Sequence, residues 1–316
     1  MNTPVKIGIS ACLVGRKVRY DGGHKQDHFL TDTLGQYVAY VPVCPEAEAG
    51  LGIPREPMRL EGDPKAPRLV TEKTRKDLTA SMLRWVRKRA RDPENEGLCG
   101  FIFKARSPSC GTKGVKIFTE KNRCAKKGVG LFARAFMDHF PLIPVQDEGR
   151  LQNPRLRENF LEAVFVLRRW RASLKEQRAR GSLAAFHTRH KLLIMSHSVE
   201  HYRAMGRLVA KAKDIPLKDL YDTYQGHLLA ALRLKTTTKK HANVLQRMLR
   251  YFKKTLLADE KQELLAAIQY YRCGDVPLIV PITLINHYAC KYNEPYLRQQ
   301  YYLHPDPVEL QIKNHV

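Results

Sequence analysis

Three cysteines of this 316-residue chain follow apolar runs of the same kind. Val5 to Ser10 leads to Cys12, Tyr37 to Val43 leads to Cys44, and Cys99 to Lys104 leads, through Ser107-Pro108-Ser109, to Cys110. Each run reads as a buried strand, which places each cysteine in a loop at a strand's carboxyl end. In an open parallel sheet those ends share one edge, and ligand sites form in the crevice outside it, so thiols far apart in sequence can converge there. Three thiolates suit a metal. A closed zinc site wants a fourth ligand and closely paired cysteines, and this chain lacks the pairing. A four-iron cluster fits better, because three cysteine ligands leave one iron open to substrate as a Lewis acid. The competing reading is that these are small buried hydrophobes, as free cysteines usually are. Cys99, inside a strand run, and Cys124, Cys273 and Cys290 are expected to be core or surface thiols. Seven cysteines without a secretory leader do not read as a disulfide framework.

The elements that must position these residues divide the chain. Over residues 1–150, strands alternate with helices, one at 74–91 carrying Leu78, Met82, Trp85 and Arg89 and stopped by Asp92-Pro93, another near 130–139 before a strand at 141–145. That alternation predicts an α/β domain with a mostly parallel sheet, Rossmann-like or flavodoxin-like. Beyond it the strand signal ends. Residues 151–180 read as a linking helix and 181–316 as an all-α domain of unknown role, with one helix expected from Ser182 to Lys213 and a capping box, Asp259 with Gln262, opening another. Hydrophobic residues make up 43% of the chain and charged residues 27%, a globular balance that excludes disorder and collagen-like repeats. No apolar run approaches 18 residues, and a cytoplasmic location is expected. The 55 Lys and Arg against 31 Asp and Glu give a net charge of +24, which would steer a nucleic acid, a nucleotide or a phosphorylated metabolite.

Three motifs in order resemble one family. Ser10-Ala11-Cys12-Leu13 with Val18-Arg19-Tyr20-Asp21-Gly22-Gly23, then Val43-Cys44-Pro45-Glu46, then Lys104-Ala105-Arg106-Ser107-Pro108-Ser109-Cys110-Gly111 are similar to the thiouracil desulfurase (TudS) family across roughly the first 150 residues. The second half resembles an uncharacterised helical domain fused to that desulfurase in some members, through Phe186-His187 and His197-Ser198-Val199-Glu200-His201-Tyr202. The resemblance implies a [4Fe-4S] cluster held by Cys12, Cys44 and Cys110. It also implies conversion of 4-thiouracil or 4-thio-UMP to uracil or UMP and sulfide, without net redox change. With it, Glu46 acquires a general acid–base role, against the alternative of a helix-capping carboxylate, with Glu48 as substitute. Ser107 would hold the attacking water or relay its proton, or else simply start a Ser-Pro turn. Lys25, Lys104, Arg106 and Lys113, with the amides of Gly22-Gly23 and Gly111, would suit a substrate phosphate, or form a solvated basic rim. Tyr20 and Asp21 would contact the pyrimidine.

Two rival readings stand beside this. His197-Ser198-Val199-Glu200-His201 fits the His-x-x-Glu-His pattern of inverted zinc peptidases, which needs both imidazoles on one helical face and a third ligand. The basic helical half, with aromatic residues among its cations as in 247–254, would bind RNA or a tRNA-like substrate.

Overall fold

The structure, a computed structural model, describes residues 4–89, 97–119, 124–176, 178–305 and 309. Two compact units divide between Arg168 and Arg169, inside a long helix at Pro154–Glu176.

The first unit is built on a parallel sheet of β1 (Val5–Ser10), β2 (Val38–Val43), β5 (Gly100–Phe103) and β8 (Val145–Asp147), in the spatial order β2-β1-β5-β8. Ile7 pairs with Tyr40 on one side and Gly100 on the other, and Phe101 pairs with Val145. In order of occurrence these strands run second, first, third, fourth, the order of doubly wound flavodoxin-like sheets. The strands are apolar because helices cover them. Phe101 and Phe103, two residues apart on one strand face, stack at 4.1 Å and meet Phe132 and Phe136 of the helix Leu131–His139. All four rings are fully buried, each contributing roughly 1.5–3 kcal/mol by burial alone.

A second sheet was not expected from the sequence. Its order is β4 (Arg68–Thr71), β3 (Met58–Glu61), β6 (Val115–Phe118) and β7 (Cys124–Gly128), antiparallel except where β3 meets β6. Most of these strands are four residues long and carry charges, so they lack an apolar-run signal. Glu61 is buried in one of them because Arg59 and Arg75 pair with its carboxylate, which holds it below the usual carboxylate range. The helix expected at 74–91 begins later, at Thr79, and is described to Arg89. The Glu56 carboxylate accepts from the amides of Lys73 and Thr74, and Arg75 has a left-handed φ of 57°, so residues 73–75 form a turn instead. Asp92-Pro93 lies outside the described residues.

The second unit is helical. Trp170, fully buried, stacks on Tyr224 at 5.2 Å, meets Phe186 edge-on, and donates its indole N–H to Gln225 at 2.8 Å. The stretch expected as one helix from Ser182 to Lys213 is two, Arg180–His197 and Val199–Ala210. Ser198 between them is extended (φ −156°, ψ 117°), and its hydroxyl caps the second helix by accepting from the His201 amide. The capping carboxylate of the helix Ala258–Cys273 is Glu260, which accepts from the Leu257 amide at 2.9 Å, in place of the expected Asp259 and Gln262 pair. Gly274 ends that helix with φ 90°, as a glycine permits. Among the described residues, no helix is long and apolar enough to cross a membrane.

Candidate active site

At the carboxyl edge of the parallel sheet lies a cavity of about 540 Å³ whose wall includes Cys12, Cys44 and Cys110. Three loops deliver them. After β1 the chain makes a short 3-10 turn, Ala11–Val14, closed by Gly15 at φ 83°, and the Cys12 carbonyl accepts from Lys25. After β2, Cys44 caps a one-turn helix, α1 (Pro45–Glu48), whose Pro45 stands where no amide partner is needed. Glu48 accepts the Cys44 amide at 2.9 Å. The helix-capping role considered for Glu46 thus belongs to Glu48, and Glu46 points elsewhere.

The third loop is tied to the helix Leu131–His139. Leu131 donates its amide to Pro108 O, and Phe132 and Ala133 donate to Ser109 O at 2.9 and 3.1 Å, so the helix's unpaired first-turn donors are spent on this loop. Gly130 makes the approach possible: a Cβ there would stand 2.5 Å from Ser109 backbone atoms.

The seven cysteines are thiols, not disulfides. Burial pushes Cys12 up to about 11 and raises Cys44, while Cys110 is raised furthest, by burial and then by the charge of Glu46. A thiol held protonated in this way is a poor nucleophile at neutral pH. A metal that takes the thiolates must first displace their protons. Among the described residues, no three His, Cys, Asp or Glu are grouped for a single metal ion. Three soft thiol donors lining one cavity match the donor type an iron–sulfur cluster uses, and Cys12, Cys44 and Cys110 are the residues that would hold it.

Glu46 faces the same cavity, its side chain 14% exposed. One carboxylate oxygen is paired with Arg55, whose guanidinium is 6% exposed and also donates to Val18 O at 3.1 Å and Gly52 O at 3.0 Å. The other accepts from the Ser109 hydroxyl at 2.5 Å. Ser107 lies 2.9 Å from Ser109, hydroxyl to hydroxyl, and accepts from the amides of Ser109 and Cys110, both at 3.2 Å. Arg55 and Ser109 were missed by sequence reasoning. Ser109 stood in view beside Cys110; Arg55, in a loop with no strand or cysteine next to it, offered no signal.

Of the residues expected at a substrate, Tyr20, Lys25, Lys104 and Arg106 line the cavity. The Lys104 ammonium is paired with Glu148, whose other oxygen accepts the Ala105 amide at 2.6 Å, so its charge is already neutralised. Asp21 and Lys113 do not line it. Asp21 is turned to its own loop, accepting from Gly23 at 3.0 Å and from Arg19 at 3.3 Å, and Lys113 is solvent-exposed.

The zinc-peptidase geometry fails. His197 closes one helix and His201 sits in the next, so the break at Ser198 removes the shared helical face. His197 Nδ1 is 2.7 Å from Leu234 O and His201 Nδ1 is 3.1 Å from His227 Nδ1. His187 and His190 are buried, and burial lowers both, His187 to about 4.

Residues 7–148 match the model of the 2-thiouracil desulfurase family, and residues 191–307 match a family described as protein of unknown function (DUF1722). The uncharacterized protein YbgA of Escherichia coli K12 is 30% identical over 161 residues, 51% of this chain and 95% of that protein. A solved chain of the [4Fe-4S]-dependent thiouracil desulfidase TudS is 31% identical, the match covering 47% of this chain and 93% of that one with a TM-score of 0.40. The chain thus carries a 2-thiouracil desulfurase domain over residues 7–148, followed by a DUF1722 domain over residues 191–307.

Proposed function

We infer that this protein hydrolyses the thiocarbonyl group of 4-thiouracil or 4-thio-UMP, giving uracil or UMP and hydrosulfide without net redox change, at a [4Fe-4S] cluster held by Cys12, Cys44 and Cys110. The observation that carries the reading is that three thiols, two buried and one half-buried, and one carboxylate, from three loops at one sheet edge, share a single cavity. The cluster, when bound, supplies an open iron as a soft Lewis acid for the thiocarbonyl sulfur. The protein supplies the rest. Glu46, paired with Arg55, is the proton acceptor for the attacking water. Ser107 positions that water. Tyr20, 41% exposed at the cavity wall, offers a face for the pyrimidine, and the exposed Lys25 and Arg106 offer charge for a phosphate.

The test is iron and acid-labile sulfide per chain after anaerobic reconstitution, with zinc measured alongside, followed by 4-thiouracil and 4-thio-UMP turnover. About four iron and four sulfide with turnover support the reading. Zinc without sulfide, or a full cluster with no turnover, overturns it. A second reading, in which the thiolated uridine is presented within RNA, is favoured by the +24 charge and by a groove of the helical unit lined by Lys191, Arg203 and Arg207. RNA affinity falling steeply with salt would support it, whereas a small nucleotide depends on salt weakly.

A further inference from the structure

The geometry assigns Ser109 a role in the reaction: it carries the proton between Ser107 and Glu46, so that the acceptor carboxylate works through a chain of two hydroxyls. This rests on the desulfidase reading above and names a residue that reading does not use.

Donor and acceptor logic fixes the direction of the chain. The 2.5 Å contact is the Ser109 hydroxyl donating to the Glu46 carboxylate, whose other oxygen is paired with Arg55. That uses the only proton Ser109 has. The 2.9 Å contact between the two serines must then be Ser107 donating to Ser109. Ser107 in turn accepts from the amides of Ser109 and Cys110, both at 3.2 Å, which orient its oxygen and stabilise negative charge on it as its proton leaves. Arg55 acts as a positioning residue, holding one carboxylate oxygen so that the other stays on Ser109. Ser109 is fully buried, and its backbone carbonyl is gripped by two helix amides, so the hydroxyl is held in place.

The proton count closes. Water gives a proton to Ser107 as its oxygen bonds to the thiocarbonyl carbon; Ser107 gives its own to Ser109, and Ser109 gives its own to Glu46. Both serines end neutral and Glu46 ends as the carboxylic acid. When the carbon–sulfur bond breaks, the proton left on the added hydroxyl moves to the departing sulfur, which leaves as hydrosulfide while the carbonyl forms, and Glu46 releases its proton to solvent. No oxidant or reductant is needed.

The experiment compares Ser109→Ala, Ser109→Thr, Glu46→Gln and the Ser109→Ala/Glu46→Gln double variant on reconstituted protein. Iron, sulfide and the cluster absorbance are measured beside kcat, KM and solvent isotope effects. Ser109→Ala is expected to keep the cluster and KM, lose about 10²–10⁴-fold in kcat, and lose the multi-proton curvature of the rate against deuterium fraction. The threonine variant is expected to restore most of the rate. The double variant is expected to be no slower than the worse single one, because members of one chain are not additive. Full activity of Ser109→Ala, or losses that multiply in the double variant, would overturn the inference, as would a rate loss that merely tracks lost iron. If the parent itself turns over no thiolated pyrimidine, the desulfidase reading fails first. In that case the infrared carboxyl band of Glu46, expected to shift in Ser109→Ala, still tests the hydrogen-bonded chain.

Discussion

The cavity at the sheet edge and the histidine-rich helices pose the same question and answer it oppositely. In the first unit, Cys12, Cys44 and Cys110 share no local spacing, yet parallel strand order brings their loops to one edge. In the second, His197 and His201 have a metal-binding spacing, yet one extended residue, Ser198, separates them into different helices. A spacing motif depends on an uninterrupted element, whereas convergence at a sheet edge depends only on topology. Burial acts on both regions too. It raises the Cys12 and Cys110 thiols and lowers His187 and His190 within the helical core, in each case favouring the neutral form.

The comparison can be broken most sharply at the thiols. Cys12→Ala, Cys44→Ala and Cys110→Ala are each expected to lose cluster retention and drive turnover to background, while His201→Ala leaves iron content as in the parent. Metal analysis of the four variants decides it, and a cysteine variant that still holds four iron leaves the ligand set. Next in size is Glu46→Gln, expected to keep the cluster and lower kcat by about 10²–10⁴-fold. An unchanged kcat would remove the carboxylate from the chemistry.

Smaller effects test the supports. Burial lowers His187 from 6.5 to about 4, so the unfolded chain takes the proton first as pH falls. Its contribution is present above pH 6.5 and is lost progressively down to pH 4, about 3 kcal/mol in all. Urea unfolding of the parent and His187→Gln across that window checks the sign, since the variant should show the shallower decline. Gly130→Ala, which sets a methyl against the Ser109 backbone, is expected to cost about 1–3 kcal/mol and to weaken iron retention through Cys110. A melting temperature equal to the parent's would show that the loop yields.

Much of this was legible in the residues. The apolar runs ending in cysteines predicted the parallel sheet and its edge, and the change of periodicity after residue 150 predicted the helical half. The second sheet was hidden, because short strands with paired charges such as Glu61 look like loops. So was Arg55, whose value lies in a partner that its own neighbourhood in sequence does not suggest.

By itself, then, the sequence determined which side chains could bind soft metal and move protons, and roughly which strands present them, because residue type and hydrophobic period are local properties. Only the tertiary structure decided which carboxylate faces the cavity, that Ser109 stands between Ser107 and Glu46, that Glu148 neutralises Lys104, and that the histidine motif is split. Those are matters of distance and direction between segments distant in the chain, and they are set by how strands order, how a helix end grips a loop and where one residue leaves the helical region.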